Sequence, residues 1–520
     1  MLKTSLRPEH ALLNEDTDHT SAQANPAAPR IIGRAEHPVS RRLIAPNALK
    51  VLYKLREGGH QAFLVGGCVR DIMLGIEPKD FDVATSARPE EVKRLFRNCR
   101  IIGRRFRLAH VFFGREIIEV ATFRAASAPS QGEEPDLDPD IVPEIGAVAD
   151  DGDDEIDALP PEGDDDAQDR QLDVQGRILR DNTYGTIDDD VWRRDFTCNA
   201  LYYNIDDFSV WDYTGGFEDV AARRLSLIGD PETRYREDPV RMLRAARFEA
   251  KLGFSLAPAT EEPIERLREL LAQVPAARLF DESLKLFLTG HGVKSLQVLR
   301  RRGLLGVLYP TVGAYLDKHP GSLVEKLLIA GLENTDARVL AGKPVTPTFL
   351  FTLLLYGPIA QHIEALPSDR WHETGAILDA CDRAVYEAQQ RVTIPKRFSL
   401  GIRDMFAMQP RLEQPRGRRA LRTLEQPKFR AAFDLLVLRA IAGMAPRETA
   451  QWWTRIQEVT PEQRAGMIEQ LERATAKLGN GNGNGHGGGS ASADGDTESG
   501  ATGAGPPRRR RRRRRPAGPA

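Results

Sequence analysis

A pair of glycines, Gly66-Gly67, stands 14 residues ahead of the triplet Asp80-Phe81-Asp82, and this arrangement constrains the chain more than any bulk property. The apolar run Ala62–Val65 predicts a short strand that ends at the glycines, followed by a helix over residues 69–74 that stops at Gly75. A second strand over residues 80–84 would carry the triplet. Residues two apart on a strand project from one face. Asp80 and Asp82 are therefore expected side by side, with Phe81 turned into the core. Two carboxylates so placed repel and raise each other's pKa unless a cation lies between them. An oxygen-rich site with few protein ligands suits Mg²⁺, and two such ions would serve the attacking and leaving oxygens of a phosphoryl-type transfer. Glycines without a Cβ let a phosphate chain approach the backbone closely, and the following helix start offers free N–H groups.

The surrounding sequence reads as a small α/β (α+β) domain with a mixed sheet. A helix opens at Pro89, with Val92, Leu95 and Phe96 on one side. Two β segments, residues 109–113 and 116–123, are joined by Gly114-Arg115, and strand character returns at 200–204 and 210–213. From about Pro239 onward Leu, Ala, Arg and Glu recur at helical spacing to about residue 475, which predicts an all-helical region. The domain expectation is a disordered segment at 1–40, a head at 41–225, a helical neck at 226–305, a helical C-terminal domain at 306–475, and a Gly-rich linker with an Arg-rich tail at 476–520.

Charge is distributed unevenly. Residues 133–169 hold 17 carboxylates and no Lys or Arg, and the rest of the chain keeps 73 basic against 58 acidic residues. Residues 126–175, which contain that stretch, cannot bury enough apolar area to offset their ordering entropy and are expected to be a disordered loop. A basic body suits contact with polyanions. Arg508, Arg509, Arg510, Arg511, Arg512, Arg513, Arg514 and Arg515 form an unbroken run on a flexible tether. Such a tail would hold nucleic-acid phosphates without reading sequence. Cys68, Cys99, Cys198 and Cys381 form no CxxC pair and are expected as buried thiols in a reducing compartment. No run has the ~18 apolar residues needed to span a bilayer, and the expected location is the cytoplasm, without membrane contact.

Two further acids are candidates to complete a metal cage. Glu119 lies on a strand that could neighbour the triplet, and Asp195 lies in Arg193-Arg194-Asp195-Phe196-Thr197. Spacing alone does not choose between them, and an ion pair with its flanking arginines is the plain reading of Asp195. Farther on, Asp238 stands at a predicted helix start, and Arg241 and Arg244 share a helix face. A carboxylate and a guanidinium one turn apart could read the Watson–Crick edge of a base.

Taken together, LVGGCVRD (64–71), KDFDVAT (79–85), EVATFR (119–124), RRDFTCNAL (193–201) and REDPVRMLRAARF (236–248) resemble the class II nucleotidyltransferases, the family of bacterial poly(A) polymerases and tRNA CCA-adding enzymes. The resemblance spans nearly 190 residues in the family's order. It implies a nucleotidyltransferase head followed by helical neck, body and tail. Asp80 and Asp82 would be catalytic metal ligands, Asp195 part of the active centre, and Glu119 an auxiliary carboxylate. Gly66, Gly67, Arg70, Arg194, Asp238, Arg241 and Arg244 would bind the nucleotide. Segments 102–111, 180–186 and 427–436, with the arginine tail, look more like the polymerases than the CCA-adding enzymes. The implied activity is template-independent addition of adenylates from ATP to RNA 3′ ends with Mg²⁺, and the implied role is in mRNA processing and RNA decay. A CCA-adding enzyme and a non-catalytic RNA-binding scaffold are the alternatives. RNA-decay factors enter as partners by analogy alone.

Overall fold

The computed structural model describes residues 28–103, 107–125, 170–172, 178–181 and 184–480. The acidic stretch 133–169 and the arginine run 508–515 lie outside the described residues. The first half contains, in chain order, β1 (Arg30–Ile32), α1 (Pro46–Glu57), β2 (Ala62–Val65), α2 (Gly67–Met73), β3 (Asp82–Thr85), α3 (Pro89–Leu95), β4 (Cys99–Ile102), β5 (Leu108–Phe113), β6 (Glu116–Thr122), β7 (Arg170–Leu172) and β8 (Ile178–Asp181). It continues with α4 (Ile187–Arg193), β9 (Leu201–Asn204), β10 (Val210–Asp212), α5 (Gly216–Ala221), β11 (Arg224–Leu225), α6 (Pro231–Glu237), α7 (Val240–Leu252), β12 (Ser255–Leu256), α8 (Pro258–Leu267), α9 (Ala276–Phe287) and α10 (Gly292–Arg301).

Eight strands form one mixed sheet in the order β1-β10-β9-β2-β3-β6-β5-β4. Its neighbours are antiparallel except the central β3–β6 pair, which is parallel and sets Asp82 opposite Glu119. On β2 the side chains alternate between faces. Phe63 and Val65 join Ala84, Phe123, Val191 and Tyr202 in a core under α4. The start of α4 is held by Thr186, whose backbone N–H donates to Asp189 at 2.8 Å. Helix α1 begins on Pro46 and lays the buried stripe Val51, Leu52 and Leu55 over the sheet.

Four expectations need correction. The segment 1–40 is not disordered throughout: Arg30–Ile32 adds an edge strand, with Ile32 facing Val210 and only 1% exposed. One buried isoleucine and pairing along the open edge of β10 hold it there, while Ile31 stays 56% exposed. The loop expected over residues 126–175 contains β7, which pairs with β8. Strand β4 was not expected and forms the opposite edge of the sheet. Finally, the strand carrying the acidic triplet begins only at Asp82. Gly66 takes φ 84° and turns the chain away after Val65, the partner of Asp82, so nothing pairs with residues 80–81. Asp80 is thus exposed on the preceding loop, and Phe81 is half-buried outside the core that Val83 occupies.

Beyond the sheet the chain is helical. Helix α7 ends at Gly253, φ 66°, as expected, and β11 pairs in parallel with β12 immediately after it. Helices α11–α20 run from Leu304–Leu308 to Arg447–Glu458 and include α17 (Lys396–Glu413), α18 (Gly417–Leu424) and α19 (Phe429–Ile441). A separate unit carries α21 (Pro461–Asn480). All four cysteines are buried free thiols. No helix among the described residues is long and apolar enough to cross a membrane.

Candidate active site

Asp82 is the first residue of β3, between Val65 of β2 and Glu119 of β6. A Cβ added at Gly66 would lie 3.5 Å from the Asp82 Oδ2 atom. The glycine turn and the carboxylate are therefore neighbours, with only the space of a missing side chain between them. Burial pushes the Asp82 carboxyl up to about 6, the charges of Glu119 and Asp80 push the same way, and Arg194 opposes them. An acid held in that state by burial and like charges favours a bound cation. Among the described residues no three carboxylates, thiols or imidazoles converge on one point. Asp80 and Asp82 are the carboxylates here that could hold Mg²⁺, an ion that completes its shell with phosphate and water oxygens.

Of Glu119 and Asp195, it is Glu119 that the β3–β6 register sets beside Asp82. Glu119 is partly exposed and has His110 at 3.9 Å. Asp195 is committed elsewhere. Its Oδ2 accepts from the Arg244 Nε at 2.7 Å, and its Oδ1 accepts from the Phe196 N–H at 2.9 Å. Burial raises the Asp195 carboxyl, but the Arg244 charge and hydrogen bond outweigh it and hold the group below its ordinary value. The ion pair is real, yet its partner is an arginine on α7 and not a flanking one.

Arg194 donates to Asp190 at 3.1 Å and to the Tyr202 hydroxyl at 2.7 Å, and that hydroxyl donates to Asp190 at 2.8 Å. The triad fixes the position of Arg194, whose charge lowers the Asp82 carboxyl against the larger effects that raise it. Arg70, expected at the nucleotide, is instead 2% exposed. It donates to Asp71 at 2.7 Å and to the Asn199 Oδ1, with its guanidinium 5.8 Å from the Phe248 ring. The structure makes it a brace between α2, the RRDFTCNAL segment and α7. Gly67 opens α2 directly below that guanidinium, 3.3 Å from it at the position a Cβ would take.

The segment expected to read a base sits at the α6–α7 corner. Asp238 caps the end of α6, accepts from the Val240 N–H at 3.2 Å, and accepts from Arg278 of α9 at 2.6 Å. Arg241 donates to the Arg234 carbonyl at 2.8 Å and to Glu237 at 3.2 Å. Arg234 in turn donates to the carbonyls of Arg194 at 2.8 Å and Arg193 at 3.2 Å. The corner is thereby tied to the strand-side segment that holds Arg194. Sequence reasoning missed Arg234, Arg278, Asp190 and Tyr202; only Arg234, two residues ahead of the motif at 236–248, carried any signal.

Replacing Gly66 with alanine is expected to cost about 1–2 kcal/mol, since an L residue at φ 84° is strained. The same change should lower turnover more than stability, because the added methyl would fill the space beside Asp82. Thermal unfolding and steady-state rates of the variant check both parts; unchanged rates would contradict the placement.

A mixed sheet that sets paired acids against a glycine turn, with a helical neck clasped to it, defines a nucleotidyltransferase. The fold agrees with a solved "tRNA-processing enzyme (apo form I)", with TM-score 0.50 and 20% identity over 83% of this chain and 98% of that one. Residues 62–226 match the Poly A polymerase head domain, 253–316 the "Probable RNA and SrmB-binding site of polymerase A", and 369–516 the Polymerase A arginine-rich C-terminus. The chain is 42% identical to Poly(A) polymerase I of Salmonella typhi, over 89% of this chain and 92% of that protein. It is 32% identical to the CCA-adding enzyme of Bacillus velezensis, over 52% of this chain and 56% of that protein. The chain belongs to the bacterial poly(A) polymerase family.

Proposed function

We propose that this enzyme adds adenylates from ATP to RNA 3′ ends through the site at Asp80 and Asp82, without a template. The observation that supports the site is the Asp82 carboxylate, set beside the Cβ-free turn at Gly66 and raised to about 6 by burial and by Glu119 and Asp80. The product follows from likeness to a poly(A) polymerase along 92% of its length, against 56% for the CCA-adding relative.

Asp80 and Asp82 would hold Mg²⁺, which when bound supplies charge neutralisation and activation of the RNA 3′-hydroxyl. The backbone at Gly66 admits the triphosphate, since no Cβ stands between it and Asp82. The RNA 3′-oxygen bonds to the α-phosphorus, the bond to pyrophosphate breaks, and the hydroxyl proton is released. Asp238 keeps acceptor capacity for the adenine N6 amine and Arg241 keeps N–H donors for N1. Arg278 and Glu237 orient these two groups from behind. Arg194 places positive charge near the carboxylates, and the Asp195–Arg244 pair fixes the segment that carries it. Fixed groups of this kind act through positioning and electrostatics. The arginine run 508–515 adds sequence-independent RNA contact, and a cytoplasmic location fits this reading. Contact with RNA-decay factors would follow only by analogy with the family.

Incubating the enzyme with an unstructured RNA, Mg²⁺ and each nucleoside triphosphate in turn tests the proposal. Long tails with ATP alone are expected. Addition of C residues would move the assignment to a CCA-adding enzyme, and no pyrophosphate release with ATP would leave only an RNA-binding scaffold.

A further inference from the structure

The C-terminal helices carry a charged surface that the site at Asp82 does not use. Between residues 411 and 430 there are seven Lys or Arg side chains and two carboxylates. Of the two acids, Glu413 is taken by Arg439 of α19. Of the seven cations, Arg430 pairs with Asp434 at 3.2 Å. The remaining six, Arg411, Arg416, Arg418, Arg419, Arg422 and Lys428, are all exposed, and none makes an ion pair with a described residue.

Helix α18 is the centre of this surface. Its sequence, GRRALRTL, has no acid. Ala420 and Thr423 are buried, while Arg418, Arg419 and Arg422 stand in solvent. Arg422 is four residues from Arg418 and three from Arg419, so like charges face each other on adjacent turns. Such spacing destabilises a helix by a few tenths of a kcal/mol per pair where Glu–Lys spacing would stabilise it. A surface that keeps repelling cations, with nearly all of them Arg, matches a repeating anion such as a phosphodiester backbone, whose oxygens a guanidinium fork can engage in pairs. Pro415 precedes α18 and Pro427 follows it, and Trp453 of α20 donates to the Leu412 carbonyl at 2.7 Å. The arginines are thus spread along a short helix between two proline-limited turns.

We infer that the exposed face of α18, with Arg411, Arg416 and Lys428 beside it, is a second RNA surface that holds the sugar-phosphate backbone of the acceptor upstream of its 3′ end. The inference rests on RNA being the acceptor. It assigns sequence-independent phosphate contacts to the folded C-terminal helices, distinct from the arginine run at 508–515. A growing strand held at two places stays near the site between additions, because the second contact acts at a high effective concentration.

The test compares the full-length chain with the triple variant Arg418→Gln, Arg419→Gln, Arg422→Gln, and with a charge-keeping variant carrying Lys at the same three positions. RNA binding is followed by fluorescence anisotropy across a salt series. One RNA has ~6 nucleotides, within the ~4–16 that a single compact site covers; the other has several times that length. The Gln variant should bind the long RNA on the order of tenfold more weakly, with a log–log salt slope shallower by about 2. The short RNA and the KM for ATP should be unchanged, and the Lys variant should recover most of the binding. Equal binding of the long RNA by the Gln variant and the unmodified chain overturns the inference, and so does equal weakening of both RNAs. If the triple variant unfolds, the pair Arg411→Gln, Lys428→Gln is read in the same way. Failure of the unmodified chain to extend either RNA with ATP would count instead against the proposed activity.

Discussion

Asp82→Asn is expected to abolish adenylate addition while making the metal-free protein more stable at pH 8. Removing a group that organises charge at a reacting phosphate costs at least ~10²–10³-fold in rate. The stability effect follows from the raised acid. Unfolded, Asp82 titrates near its ordinary 3.8; folded, it titrates at about 6. Between those values the folded chain binds the extra proton, so stability falls as pH rises through the window and the loss is complete above it. The shift corresponds to roughly 3 kcal/mol, reduced by solvent at the half-buried side chain to about 1–2 kcal/mol. Asparagine removes that penalty. The melting temperature with chelator should rise at pH 8 and hardly change near pH 4. A variant that melts like the parent at both pH values would remove the electrostatic reading of this carboxylate; retained polymerisation would remove its role.

The second large effect concerns Asp195 and Arg244. Asp195→Asn leaves the Arg244 guanidinium, 31% exposed, without its nearest counter-charge, and the loss is expected to cost about 1–3 kcal/mol. Asp195 has its folded pKa depressed, so its contribution is present above 3.8 and disappears as pH falls through the folded value. The deficit of the variant should therefore be seen at neutral pH and shrink in acid. Adding Arg244→Gln to Asp195→Asn should recover part of the loss, giving a coupling of about 1–3 kcal/mol in a double-mutant cycle. Adenylate addition should fall with Asp195→Asn, since the adjacent Arg194 loses its fixed position. Full stability with complete loss of activity would identify Asp195 as a ligand of the reacting groups, and not as the brace described above.

Local signals made much of the head legible. Strand β2, the glycine turn, the stop at Gly75 and the β5–β6 hairpin at Gly114 all follow from short-range alternation and from residues that adopt positive φ. Spacing pointed to the acidic pair and periodicity to the helical region, and the family motifs added the division into neck, body and tail. What stayed hidden depends on contacts far apart in sequence. The flanking Arg193 and Arg194 looked like the natural partners of Asp195, but packing of α7 brings Arg244 to it from 49 residues away. Arg278 reaches Asp238 from 40 residues away for the same reason. Glu119 and Asp195 could not be separated until the parallel β3–β6 register put Glu119 beside Asp82. The three-residue strand β1 is too short for any periodicity to reveal.

That same short strand also governs how the molecule behaves toward its own copies. Arg30–Ile32 occupies the hydrogen-bonding side of β10 that would otherwise face water. A chain trimmed past Gly33 would present Val210–Asp212 as an open template, and exposed strand borders recruit whatever extended backbone arrives first. At three residues, β1 keeps the outer border of the sheet short, which is one way a fold limits pairing with a further copy.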